Sequence, residues 1–278
     1  MSQTNGEQIH QSRIVKTLIA AQVLNGVGVA GTVAAGSLLV ASITDSETLA
    51  GLAQTFSVLG AAAMALPLAR LTNRGGRRLA LSAGLITGLI GSLFAIVGGS
   101  TENIVLMLMG SFLVGAASAS GYQARFAAID LATEDNRAKQ LSLVVWGSTI
   151  GAVTGPNLME PSGRIAESFG LPSLVGPYIV SAVTLGLAVL VIYIFLRPDP
   201  YLTAHKDAHA TGTIIKKSFK ETFAYIKSHS AAHFAIYSIA IGHLVMVAVM
   251  VMTPVHMKHV DVTLQVIGLV ISIHVLGM

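Results

Sequence analysis

The chain has 278 residues, 53% hydrophobic and only 11% charged, with a formal net charge of +4. A soluble domain carries about 25% charged residues, so an exterior this poor in charge suits lipid rather than water. The absence of cysteine excludes disulfides and thiolate metal sites.

A helix needs about 20 apolar residues to cross the hydrocarbon. Seven runs meet that length, at 17–43, 49–71, 79–99, 104–132, 140–159, 173–196 and 231–256. An eighth begins near Thr263 and is cut at Met278. The first run exceeds the roughly 7–15-residue core of a signal peptide, so it is expected to stay as a membrane helix. The fold class is therefore all-α, a polytopic membrane helical bundle. Three parts are expected: a six-helix bundle over 1–196, a linker over 197–230, and the start of a second bundle over 231–278. A faint internal echo supports two related halves. Gly51-Leu52 and Val58-Leu59-Gly60 recur at the same offset as Gly268-Leu269 and Val275-Leu276-Gly277. The second half is expected to be truncated in its second helix.

Arginine and lysine set the expected orientation. Arg13, Lys16, Arg70, Arg74, Arg77, Arg78, Arg137, Lys139, Arg197 and the lysines between 206 and 227 fall on one side. Only Arg164 and Lys258 fall on the other. The N-terminus is thus expected in the cytoplasm. The linker opens with Arg197-Pro198-Asp199-Pro200, which stops the sixth helix. Beyond it, Ile215, Phe219, Thr222, Phe223 and Ile226 share a helical face, with Lys216, Lys217, Lys220 and Lys227 elsewhere. That pattern predicts an amphipathic helix on the inner membrane surface. A lipid surface accounts for these lysines more simply than nucleic acid does.

Two motifs stand out. The second-to-third helix loop reads Ala69-Arg70-Leu71-Thr72-Asn73-Arg74-Gly75-Gly76-Arg77-Arg78. Its glycines allow a tight turn, and its arginines can pair with carboxylates at neighbouring helix ends, Asp130 being a candidate. The fifth run carries Gly147, Gly151 and Gly155, four apart on one face, followed by Pro156 and Asn157. The glycines permit close approach of another backbone, and the proline is expected to bend the helix.

Both motifs resemble those of the major facilitator superfamily. The loop is similar to the pattern G-x-x-x-D-R-x-G-R-R at Arg74, Gly76, Arg77 and Arg78. Ala69 and Asn73 depart from it, and the loss of charge at Asn73 removes an anionic lock there. The resemblance implies a gating role for Asn73, Arg74, Gly76, Arg77, Arg78 and Asp130. Gly151, Gly155 and Pro156 resemble the fifth-helix motif often called the antiporter motif. The fourth helix lacks the early arginine usual in proton-coupled exporters of this superfamily; its one arginine, Arg125, comes late and is expected to snorkel toward the inner interface or to pair with Asp130 or an interhelical group. The resemblance implies secondary active transport of a small solute by alternating access, in the direction of efflux, across the cell membrane. The competing reading is a non-transporting fragment or a regulatory or assembly subunit.

Substrate contacts are expected from uncharged amides in the spans, Gln22, Asn25 and Asn157. His243 joins them, on a face with Met246, Met250 and Met257 that reads as apolar filler, proton path or soft-metal surface. No Asp or Glu lies at mid-depth in the first seven runs, so a coupling proton lacks an acidic carrier there. No phosphate loop, zinc pattern or nucleophile elbow occurs, so no enzyme activity, cofactor or resident metal is expected.

Overall fold

The protein is seen in a computed structural model that describes residues 5–206 and 219–277. Every apolar run is helical, as it must be where no water is present to satisfy backbone groups. In chain order the helices are α1 (Asn5–Thr44), α2 (Leu52–Ser100), α3 (Ile104–Ile129), α4 (Glu134–Asn157), α5 (Met159–Ser168), α6 (Gly176–Phe195), α7 (Pro200–Ala204), α8 (Phe219–Ser228), α9 (Ser230–His259) and α10 (Leu264–Gly277). No strand occurs among the described residues.

Helix α2 is two spans joined at one residue. Gly76 has φ 83° and ψ 176°, a conformation a side chain resists, and it turns the chain between them. The expected loop is therefore a single sharp break. Helix α1 starts twelve residues before its apolar run, because the polar stretch from Asn5 continues the same helix. The described helices with enough length and hydropathy to cross a membrane cover Gln11–Thr44, Glu47–Ser100 (the broken pair), Ile104–Ile129, Ser173–Ala204 and Ser230–His259. Helix α4 falls short of that hydropathy because its first turns hold Glu134, Asp135, Asn136, Arg137, Lys139 and Gln140. It follows Thr133 at the N-cap, and its acidic first turn suits the positive end of the helix dipole.

The helices run alternately up and down, so all loops lie at two ends. One end gathers the Gly76 break, the α3–α4 connection and α7; it is called the basic end below. The other gathers the α1–α2 connection, α5 and the α9–α10 turn.

Helix α1 is the hub. It packs on α3, α4 and α6. Against α4 the approach is backbone to backbone. A Cβ added at Gly151 would stand 2.7 Å from Val27 N and 2.8 Å from Gly26 Cα, and one at Gly155 would stand 2.7 Å from Val27 O. The glycines of the fifth run thus face α1. Pro156 does not bend a continuing span. It lies in the last turn of α4, and after Leu158 the chain enters α5.

The amphipathic helix expected from Ile215 onward is only partly within view. Ile215, Lys216 and Lys217 lie outside the described residues. Helix α8 carries the exposed Phe223 and Tyr225 and has Lys227 in its last turn.

The α1–α4 seam leaves no room for a branched side chain. Gly151→Val is expected to destabilise the protein by about 1–3 kcal/mol, read as a lower unfolding midpoint in detergent. An unchanged midpoint would contradict this close approach.

Candidate functional site

Two polar regions interrupt the apolar interior. The first lies at the basic end. Arg77, the first residue after the Gly76 break, donates from Nε to Asp130 Oδ2 at 2.8 Å and from Nη2 to Asp130 Oδ1 at 3.2 Å. This is a two-pronged ion pair between side chains only 12% and 11% exposed. Arg77 Nη1 also donates to Gln123 Oε1 at 3.2 Å. Asp130 belongs to Arg77 and is not the partner of Arg125. The Arg125 guanidinium lies over the Tyr122 ring at 5.2 Å, and its buried Nε has no hydrogen-bond partner.

The same network reaches across the sequence to the segment after α6. The Asp199 carboxylate accepts from Arg77 N at 3.2 Å and Arg78 N at 2.8 Å, the first free amides of the span that follows the break. It also accepts from Tyr201 N and Leu202 N, at 3.0 and 3.1 Å, and so caps α7. Tyr201 Oη donates to Asn73 Oδ1 at 2.9 Å, and its ring lies 5.6 Å from the Arg77 guanidinium. Arg78 lies over Tyr193 at 4.8 Å. Arg13 donates to the Arg197 carbonyl at 2.7 Å. The carboxylate absent at position 73 is thus present nearby, at position 199. Local sequence did offer a hint. Asp followed by Pro is an N-cap signature as well as a helix stop. Nothing local pointed to the distant amides.

The second region is a polar row on α1. Gln11 donates to the Ala128 carbonyl at 3.0 Å and contacts Gln140 of α4. Gln22 donates to the Gly121 carbonyl at 3.0 Å. A Cβ at Gly121 would stand 2.6 Å from Asn25 Nδ2, so Asn25 fits against α3 only because residue 121 is glycine. Asn25 is buried, and its Oδ1 accepts no hydrogen bond. An unmet acceptor inside a bundle costs about 1–3 kcal/mol. Further along, a small cavity is lined by Thr32, Gln54, Ser57, Ser111 and Tyr178 among others.

Asn157 and His243 lie apart from this row. Asn157 Nδ2 donates to Ser272 Oγ at 2.6 Å, while Ser272 Oγ lies 2.7 Å from the Val153 carbonyl. That joins α4 to α10. His243 is exposed on α9. Met250 and Met257 pack beside Ala34, Leu38, Met159, Val255 and Ile267, where α9 and α10 meet the first six spans. No group of three His, Cys, Asp or Glu suited to a metal occurs among the described residues.

Contacts between α9–α10 and the rest gather at the end away from the basic loops. There Met250, Val251 and Val255 are at least partly covered, and His259 Nδ1 lies 2.6 Å from Glu47 Oε1. Toward the basic end Phe234, Tyr237 and Leu244 of α9 are exposed.

A many-span helical bundle with a basic hairpin break and an uncharged polar row in its centre defines a multi-pass membrane protein. A family model described as Major Facilitator Superfamily matches residues 18–278, and the chain belongs to that superfamily. It is 36% identical over 254 residues to the MFS-type transporter YdeG of Bacillus subtilis, covering 91% of this chain and 59% of that protein. It is 34% identical over 271 residues to YddS, another MFS-type transporter of the same organism, covering 96% and 61%. To the riboflavin transporter RfnT of Brucella anthropi it is 27% identical over 206 residues, covering 72% and 49%. The chain thus spans about three-fifths of the length of the two Bacillus relatives.

Arg77→Ala is expected to cost about 3 kcal/mol by leaving Asp130 unpaired, with Asp130→Ala costing a similar amount. The double substitution should be no worse than either single one. Additive losses in a thermal or denaturant series would show that the two side chains do not interact.

Proposed function

We infer that this protein moves a small solute across the cell membrane by alternating access, with its basic end and N-terminus in the cytoplasm. The observation that carries this is the buried Arg77–Asp130 pair at the Gly76 break together with the uncharged polar row of α1. The two helix groups touch through Glu47–His259, Asn157–Ser272 and the Met250–Val255 cluster, at the end away from that break. The placement of the arginines supports that assignment of sides. The resemblance of Gly151, Gly155 and Pro156 to the antiporter motif supports efflux.

The solute site lies along the polar row of α1. Gln22 and Asn25 offer uncharged hydrogen-bonding groups, and the unmet Asn25 Oδ1 favours a solute that brings its own N–H or O–H. His243, like His233, lies on the first half of α9, and the pH dependence of uptake tests it as a proton carrier. The Arg77–Asp130 pair holds the loop through the cycle. Its loss is therefore expected to slow transport more than it weakens binding.

The test is a thermal-shift screen of the full-length protein in detergent against drugs, sugars, organic acids and metal ions. Riboflavin is included because one relative carries that name. A ligand at one hundred times its Kd should stabilise by about 2.7 kcal/mol. Asn25→Ala should shrink that shift; an undiminished shift would remove Asn25 from the site. Hits should then be transported by reconstituted vesicles, and the absence of any uptake would contradict transport.

A further inference from the structure

We propose that Arg125 is the anion-recognising residue of the solute site, which assigns the solute to the small organic anions that also carry an N–H or O–H donor. The proposal rests on the transport reading above and on its placement of the site along α1.

An arginine keeps its charge at any working pH, and a charge inside a membrane span is costly unless an opposite charge meets it. Arg125 lies within α3, in the last turns before Ile129, and is half-buried. None of the ion pairs among the described residues includes it. The nearest acid along the chain, Asp130, is taken by two nitrogens of Arg77. The Tyr122 ring offers its π face at 5.2 Å, which attracts the charge but does not match the N–H donors around the guanidinium edge. Nε is buried without an acceptor.

Its place on α3 joins it to the polar row of α1. Helix α3 meets the second span of α2 through Gly110, Ala117 and Ser120, and the first span through Gly115 and Gln123. It meets α1 through Gly121 and Ala128. Ser118, Tyr122 and Arg125 recur at helical spacing on the stripe left between the α1 and first-span contacts. Gln22 and Asn25 reach α3 at Gly121, one turn before Arg125. Because α1 and α3 run in opposite directions, the order toward the basic end is Asn25, Gln22, Arg125. Uncharged groups come first and the cation follows.

The two ends of this row are chemically complementary. Asn25 Oδ1 is an acceptor without a donor, and Arg125 Nε is a donor without an acceptor. A solute whose N–H or O–H and carboxylate are spaced by one helix turn, about 5.4 Å, meets both. The planar fork of an arginine suits a carboxylate in particular. A neutral solute leaves the guanidinium unmatched, and a cationic one is repelled.

The experiment follows thermal unfolding of the full-length protein in detergent against small hydroxy- and amino-carboxylates, each paired with its neutral methyl ester. The acids should raise the midpoint, and the esters should bind about tenfold more weakly or worse, having lost the charge-assisted pair. Arg125→Gln should abolish the difference between acid and ester, and Arg125→Lys should restore part of it. Esters that bind as well as acids, acids that bind Arg125→Gln unimpaired, or a panel in which no acid binds would each overturn the proposal. Phosphatidylglycerol added to the micelles separates a lipid headgroup from a solute. Stabilisation by this lipid alone, lost in Arg125→Gln, would overturn the assignment to a solute.

A second measurement needs no ligand. Arg125→Met removes an unmatched charge, so the unliganded midpoint should hold or rise, in contrast to the fall expected of Arg77→Ala. A fall of similar size would show that Arg125 is paired within the full-length protein and would overturn the proposal. Uptake by reconstituted vesicles keeps the two readings apart. Acid binding that depends on Arg125 without any uptake would contradict transport and leave a binding site. Uptake of neutral solutes alone, unaltered by Arg125→Gln, would contradict the anion site and leave transport.

Discussion

The near-contact of two backbones, α1 against α4, underlies the rest of the structure. Lipid supplies no hydrophobic drive between helices, so helices join where small residues let main chains approach. Gly26 and Gly31 of α1 meet Gly151 and Gly155 of α4 in this way. That seam fixes α1 at the centre of the first group. From there its Gln22 and Asn25 face α3, while Ala34 and Leu38 face α9 and α10. The polar row and the contact between the groups are both consequences of where α1 is held.

The sorting of charge is the second organising fact. The described spans hold no buried acidic centre, and the strong polar network sits at one end. Arg77, Asp130, Gln123, Asp199, Tyr201 and Asn73 form a single connected set there. At the other end the links are sparser and partly exposed, as in Glu47–His259, where the side chains are 56% and 65% exposed. Exposed pairs of this kind contribute at most about 1 kcal/mol. The apolar cluster around Val255 and Ile267 is the more substantial contact there.

Most of the fold was legible in the sequence because lipid imposes length and apolarity on every span. The seven runs and the start of the eighth correspond to helices, and the break at Gly76 falls inside the motif loop. Features that depend on short or polar segments were not legible. Helix α5 carries Glu160, Arg164 and Glu167 and lacks the length of a span, and α7 is five residues long. The site was legible in part. The loop pattern pointed to Arg77 and to Asp130 as a possible partner, because arginine next to a helix start seeks a carboxylate at a neighbouring helix end. Asp199 was read only as part of a helix stop, since its partners lie more than a hundred residues earlier. Asn157 was placed beside a bend, whereas it binds Ser272 at the end of its helix. Sequence spacing describes one helix face; it does not name the helix opposite.

The chain is a multi-pass bundle, and the proposal that bears most weight is that its basic end faces the cytoplasm. The most direct measurement is cysteine accessibility in intact cells, using single replacements at Arg74 and Glu102 and a membrane-impermeant maleimide. Glu102→Cys should label from outside, and Arg74→Cys only after the membrane is opened. The reverse pattern, or equal labelling of both in sealed cells, would contradict the account.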